Sequence, residues 1–141
     1  MDIYIKIFVL IMLIIFSVED ILYREISVKV ILVFLLMGIG IRVYDNTLLS
    51  TEIFWGIFIG MIIIASSIIL AGNIGVGDGI IFVLTGLFLG IADNLRILIF
   101  SVTISGIIGG LLIILKIKKK DYKMPFTVFI LTFVALFVKL F

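Results

Sequence analysis

Two aspartates, Asp20 and Asp78, are the side chains of this sequence best placed to do chemistry. Asp78 closes the run Gly75-Val76-Gly77-Asp78 and is followed by Gly79, where two long apolar stretches meet, and Asp20 stands at the end of the first apolar stretch. An ionisable residue at the edge of a membrane span is expensive to keep and marks a functional site by default, with its partner to be named. Two carboxylates facing each other across a low-dielectric cleft do not both ionise readily, so the pair shares a proton. The ionised member of such a pair activates water while the protonated member polarises a carbonyl, which is amide hydrolysis without a covalent enzyme intermediate. Glycines at 75, 77 and 79 permit positive φ and the close approach of an extended substrate backbone. A plainer reading of the same residues makes Asp78 the N-cap of the following helix and the glycines its turn.

Residues that are missing narrow the chemistry further. The chain has no histidine and no cysteine, which excludes a Ser-His relay, a His-ligated zinc and any thiolate nucleophile or metal ligand. Ser66, Ser67, Ser101 and Ser105 have no lysine at their depth to act as base, so they read as interhelical hydrogen-bonding groups. Two lone carboxylates are too few for a metal site, and no cofactor is implied. A formal charge of +2, with the cations clustered at membrane edges, gives no basis for nucleic acid binding.

The elements that must position the aspartates are membrane helices. With 65% hydrophobic residues, one proline in 141 residues and a mean hydropathy of +1.52, the chain reads as a single all-α, polytopic membrane domain over 1–141. Polar interruptions divide it into six apolar segments: Ile3 to Leu22, Ile26 to Val43, Ile53 to Ala71, Ile80 to Ala92, Ile97 to Leu115 and Met124 to Phe141. A span needs about 20 residues, and the fourth segment falls short. It is expected to borrow from its flanks or to start in irregular backbone at Gly75 to Gly79. Asp93 and Arg96 are expected to solvate the short loop after it. Six spans place Arg24, Lys29, Lys116, Lys118, Lys119, Lys120 and Lys123 on one side and Lys6, Arg42, Arg96 and Lys139 on the other. The positive-inside rule then puts the first group in the cytoplasm and both termini on the extracytoplasmic side. Asp20 and Asp78 share the cytoplasmic face. The pairs Gly56/Gly60, Gly86/Gly90 and Gly106/Gly110 have the spacing that lets membrane helices approach closely, or are ordinary glycines of an apolar chain. Tyr4, Tyr44 and Trp55 read as interface anchors, and the Lys116 to Lys123 run as an anionic-lipid and topology anchor.

A membrane-embedded GxGD with an upstream aspartate resembles the type IV prepilin peptidase family and, more distantly, the presenilin-type intramembrane aspartyl proteases. The family's first motif is an Asp, a basic stretch, then Ile or Leu, Pro, and Asn or Asp; Asp20, Arg24 and Ile26 keep it, while Ser27 and Val28 depart from it. The second is GxGD followed after one residue by Lys, met by Gly75, Gly77 and Asp78, with Ile80 at the lysine position. A Pro-Phe pair opening the last helix is matched by Pro125 and Phe126. The resemblance covers essentially the whole chain. It implies catalytic roles for Asp20 and Asp78 and a minimal form without the cysteine-rich region that accompanies N-methylation. It also implies prepilin-like or preflagellin-like precursors as substrates: a short basic leader before a hydrophobic helix that enters from the bilayer. Glu19, Glu25 and Asp121 share that face and either attract the leader or simply solvate the boundary.

Two other classes remain open on the sequence. Asp20 and Asp78 in a six-span bundle could bind a cation or relay protons in a small carrier, although residues 1–70 and 71–141 show no repeat. A relative that binds pilin-like helices without cutting them is the other, given Ser27 and Ile80.

Overall fold

A computed structural model describes residues 3–23, 26–69 and 76–115. They form four helices: α1 (Ile3–Tyr23), α2 (Val28–Tyr44), α3 (Thr51–Ile69) and α4 (Val76–Ile114). Long apolar runs without proline favour this outcome, because in hydrocarbon a chain must satisfy its backbone hydrogen bonds within itself. α3, and α4 when counted over its whole length, are long and apolar enough to cross a membrane. Their outward faces are as apolar as their packed ones: Phe54, Trp55, Met61, Ile62, Ile68 and Ile69 of α3 all project away from the protein. A helix that is apolar all round belongs in a core or in lipid, and among the described residues nothing covers these faces.

The first three apolar segments correspond closely to α1, α2 and α3, whereas the fourth and fifth are redrawn. α4 begins at Val76, not Ile80, and its interruption falls at Gly90 (φ 76°, ψ −175°), not in the expected loop at residues 93–96. Asp93 and Arg96 lie one turn apart within the helix, joined by a 3.0 Å salt bridge. The interruption is a sharp reversal. Thr85 and Asn94 would be separated by roughly 13 Å along a straight helix, yet the Thr85 hydroxyl donates to Asn94 Oδ1 at 2.7 Å. α4 is therefore two arms, 76–89 and 91–114, folded at a residue whose backbone angles only glycine adopts without strain. The first arm is only about 21 Å long, shorter than a typical hydrocarbon layer. The sixth segment, Met124 to Phe141, lies outside the described residues, as does the Lys116 to Lys123 cluster.

α3 and the first arm of α4 run antiparallel with their backbones in contact. A Cβ at Gly56 would stand 2.8 Å from the Gly86 carbonyl oxygen, one at Gly60 would overlap the backbone of Val83, and one at Gly79 would stand 2.9 Å from the Ile64 amide nitrogen. The Gly56/Gly60 and Gly86/Gly90 spacings are thus a helix-packing seam. Gly106 and Gly110 meet nothing within 4 Å among the described residues. α1 and α2 close on the other side of the arm through side chains. Val9, Met12, Leu13 and Phe16 of α1, Phe34 of α2 and Ile81, Phe82, Leu84 and Phe88 of α4 form one buried cluster. Phe34 lies edge-on to both Phe8 and Phe16, with ring centroids 5.6 Å apart in each pair, a favourable aromatic geometry.

Candidate functional site

Asp20 and Asp78 extend the two stripes that hold this core together. On α1 the buried residues Val9, Met12, Leu13, Phe16 and Ser17 recur at three- and four-residue spacing, and Asp20 is the next position on that face. On α4 the stripe runs back from Phe88 through Thr85 and Ile81/Phe82, all buried, to Asp78 in the first turn. Because these faces pack on each other, the carboxylates come to the same end of the bundle. Asp20 acts electrostatically on Asp78 there, and both side chains are partly buried.

The backbone around them has the same convergence. A Cβ at Gly77 would lie 3.3 Å from Cδ1 of Ile26, so the stretch after Asp20 rests on the stretch before Asp78. Glu19 accepts a hydrogen bond from the Ser27 backbone N–H at 3.1 Å, tying the end of α1 to the residue that precedes α2. That contact gives Glu19 a structural task besides any attraction for a basic leader.

Three expectations about the glycine motif change. Asp78 is not an N-cap: it is the third residue of α4, where a negative charge still favours the positive end of the helix dipole. Gly77 and Gly79 are helical, and the only positive-φ glycine among the described residues is Gly90. Their lack of a side chain allows close packing against Ile26 and α3. Gly75, Arg24, Pro125 and Phe126 lie outside the described residues.

Two residues that matter to this geometry were not singled out by sequence. Asn94, fully buried, donates through Nδ2 to the Gly56 carbonyl of α3 at 2.9 Å and to the Phe82 carbonyl of the first arm at 3.0 Å, while accepting from Thr85. Arg42, at the end of α2, donates from Nε to the Leu87 carbonyl at 3.0 Å and from Nη2 to the Phe88 carbonyl. The carbonyls that end an interrupted helix lose their partners four residues on, and Arg42 supplies two of them. Asn94 was hidden by its polar neighbours, Asp93 and Arg96, which read as a loop. A lone arginine at a span boundary gave no cue beyond topology.

The geometry alone fits a hydrolytic pair or a proton-binding pair. The model of the type IV leader peptidase family matches residues 7–140. The chain belongs to that family. The match takes in α1 from residue 7, the whole of α2, α3 and α4, and both aspartates, and with it the leader peptidase family's aspartic-type peptidase chemistry becomes the frame in which the pair is read. No curated protein and no solved structure matches the chain.

Proposed function

We propose that the protein is a membrane aspartyl endopeptidase that removes the short basic leader of prepilin-like precursors, with Asp20 and Asp78 as its catalytic residues. The observation that carries this reading is their convergence. Two carboxylates 58 positions apart in sequence end the two apolar stripes by which α1 and α4 pack on each other, in a chain of the leader peptidase family. One carboxylate would take a proton from water while the other, protonated, donates to the scissile carbonyl oxygen. The proton is returned to the leaving amine, and neither residue becomes covalently attached to substrate.

The partly buried position of both side chains suits a substrate whose hydrophobic helix stays in the bilayer while its leader reaches the boundary. We place that boundary at the cytoplasmic face of a six-span, single-domain bundle, on the asymmetry of basic residues. The reaction as proposed draws on the two carboxylates and water. Incubation of the purified protein in lipid with a model precursor, a basic leader followed by a hydrophobic helix, tests the reading. A shorter product whose mass locates the cut at the leader junction is expected. An intact precursor across a panel of leaders, with folded protein, would favour a carrier or a helix-binding relative without activity.

A further inference from the structure

We propose that Arg42 is a positioning residue for the aspartate pair: by capping the broken end of the first arm of α4, it holds the α1–α2 hairpin, which carries Asp20, in register with the arm that carries Asp78. The inference goes beyond the peptidase reading and rests on it only for the consequence in cleavage.

The two sides of the arm are held differently. Against α3 the arm is fixed backbone to backbone at Gly56, Gly60 and Gly79, so Asp78 and α3 move as one piece. Against α2 the arm meets side chains. A Cβ at Gly38 would stand 2.7 Å from Leu87 Cδ2 and 2.9 Å from Phe88 Cζ, and the neighbouring cluster of phenylalanines is equally a side-chain contact. Apolar contacts of this kind are non-directional and specify rotation and register less sharply than a directed hydrogen bond does. Arg42 adds direction. Phe34, Gly38 and Arg42 lie on one face of α2 at four-residue spacing, and the guanidinium crosses from that face to the Leu87 and Phe88 carbonyls. These are the carbonyls stranded by the break at Gly90. A planar fork that donates to two adjacent carbonyls fixes both position and rotation, which a lysine ammonium does not. Its charge also faces the negative end of the arm's dipole, and Arg42 is itself secured to the following turn by Nη1 donating to Thr47 Oγ1 at 3.4 Å.

Arg42 cannot touch the reacting atoms. Phe88 lies roughly 15 Å along the arm from Asp78, and α2 carries Arg42 to the end opposite Ser27. Its influence therefore passes through the helices, with the far end pinned and the near end bringing Ile26 onto Gly77.

A cysteine-free chain allows a test that does not depend on activity. In an Ile26→Cys/Gly77→Cys protein in lipid, oxidation should form the 26–77 disulfide. Adding Arg42→Ala should lower its rate of formation several-fold, Arg42→Lys should give an intermediate rate, and Asn94→Ala, which loosens α4 without removing the Arg42 hydrogen bonds, should lower it much less than Arg42→Ala does. Equal rates with and without Arg42 would overturn the proposal. So would an equal fall in Arg42→Ala and Asn94→Ala, which would assign Arg42 to general stability, or failure of the parent pair to cross-link. Should Arg42→Ala not fold, Arg42→Lys decides by the same comparison. In the cysteine-free protein, Arg42→Lys should lower kcat with little change in KM. Arg42-dependent cross-linking in a protein that cleaves no precursor would discard the peptidase reading and leave the positioning role standing.

Discussion

Gly77 and Ile26 touch: a Cβ at position 77 would lie 3.3 Å from the Cδ1 of Ile26. At this point the segment that follows Asp20 lies against the segment that contains Asp78. The nearest obstacle is the tip of a flexible side chain, so Gly77→Ala is expected to be mild. Gly77→Leu has no such room and should push Ile26 and the end of α1 away. A displacement of the aspartates by about 1 Å would lower kcat/KM roughly 100-fold. Kinetics of both variants on a model precursor check this, and equal activities would contradict it.

The glycine seam between α3 and α4 predicts a contrast between equivalent-looking motifs. Gly86→Ala drives a methyl into the backbone of Gly56, which cannot yield as a side chain would, and should cost about 1–3 kcal/mol or more. Gly106→Ala meets no described atom within 4 Å and should alter stability by less than about 0.5 kcal/mol, apart from any gain in helix propensity. Unfolding of the two variants in detergent measures the difference.

Asn94 joins three helical pieces through hydrogen bonds to Gly56, Phe82 and Thr85. Asn94→Ala should destabilise the protein by about 1–3 kcal/mol, the loss of buried bonds in an apolar setting. Asn94→Asp removes the Nδ2 donor and buries a carboxylate facing two carbonyls, so the same unfolding measurement should find it at least as damaging.

Much of the fold was legible because composition and hydropathy report the solvent, and in hydrocarbon that solvent dictates helices. The limits of α1, α2 and α3 follow from where charged or polar residues interrupt apolar runs. The break in α4 did not follow, because polarity at Asp93, Asn94 and Arg96 competed with a glycine that carries no hydropathy signal. Gly90 ends the arm by its backbone angles, and Asn94 is buried because the reversal gives its amide partners from two helices. Asp20 and Asp78 were expected on one face from the parity of the spans and the distribution of basic residues, and in the structure each continues an apolar stripe to the same end of the bundle. Gly77 and Gly79 suggested a substrate loop, but spacing alone does not separate a flexible glycine from one that lets helices touch.

Glu19 and Asp20 are neighbours, and in the proposed peptidase their tasks differ. Glu19 accepts from the Ser27 N–H, and the carbonyl oxygen of an amide accepts equally, so Glu19→Gln should retain most of the cleavage activity and stability. Glu19→Leu removes the acceptor and should cost on the order of 1 kcal/mol in unfolding experiments. If Glu19→Gln abolished cleavage while Asp20→Asn did not, the catalytic role would belong to Glu19.

The central claim is that Asp20 and Asp78 together perform the hydrolysis. Its most direct test compares wild type, Asp20→Asn and Asp78→Asn, each shown to be folded in lipid, for cleavage of one model precursor, with the product identified by mass. Replacing either carboxylate removes half of the acid and base pair while nearly preserving shape, so both variants should lose cleavage by at least about 1,000-fold. Substantial cleavage by either variant would contradict the account.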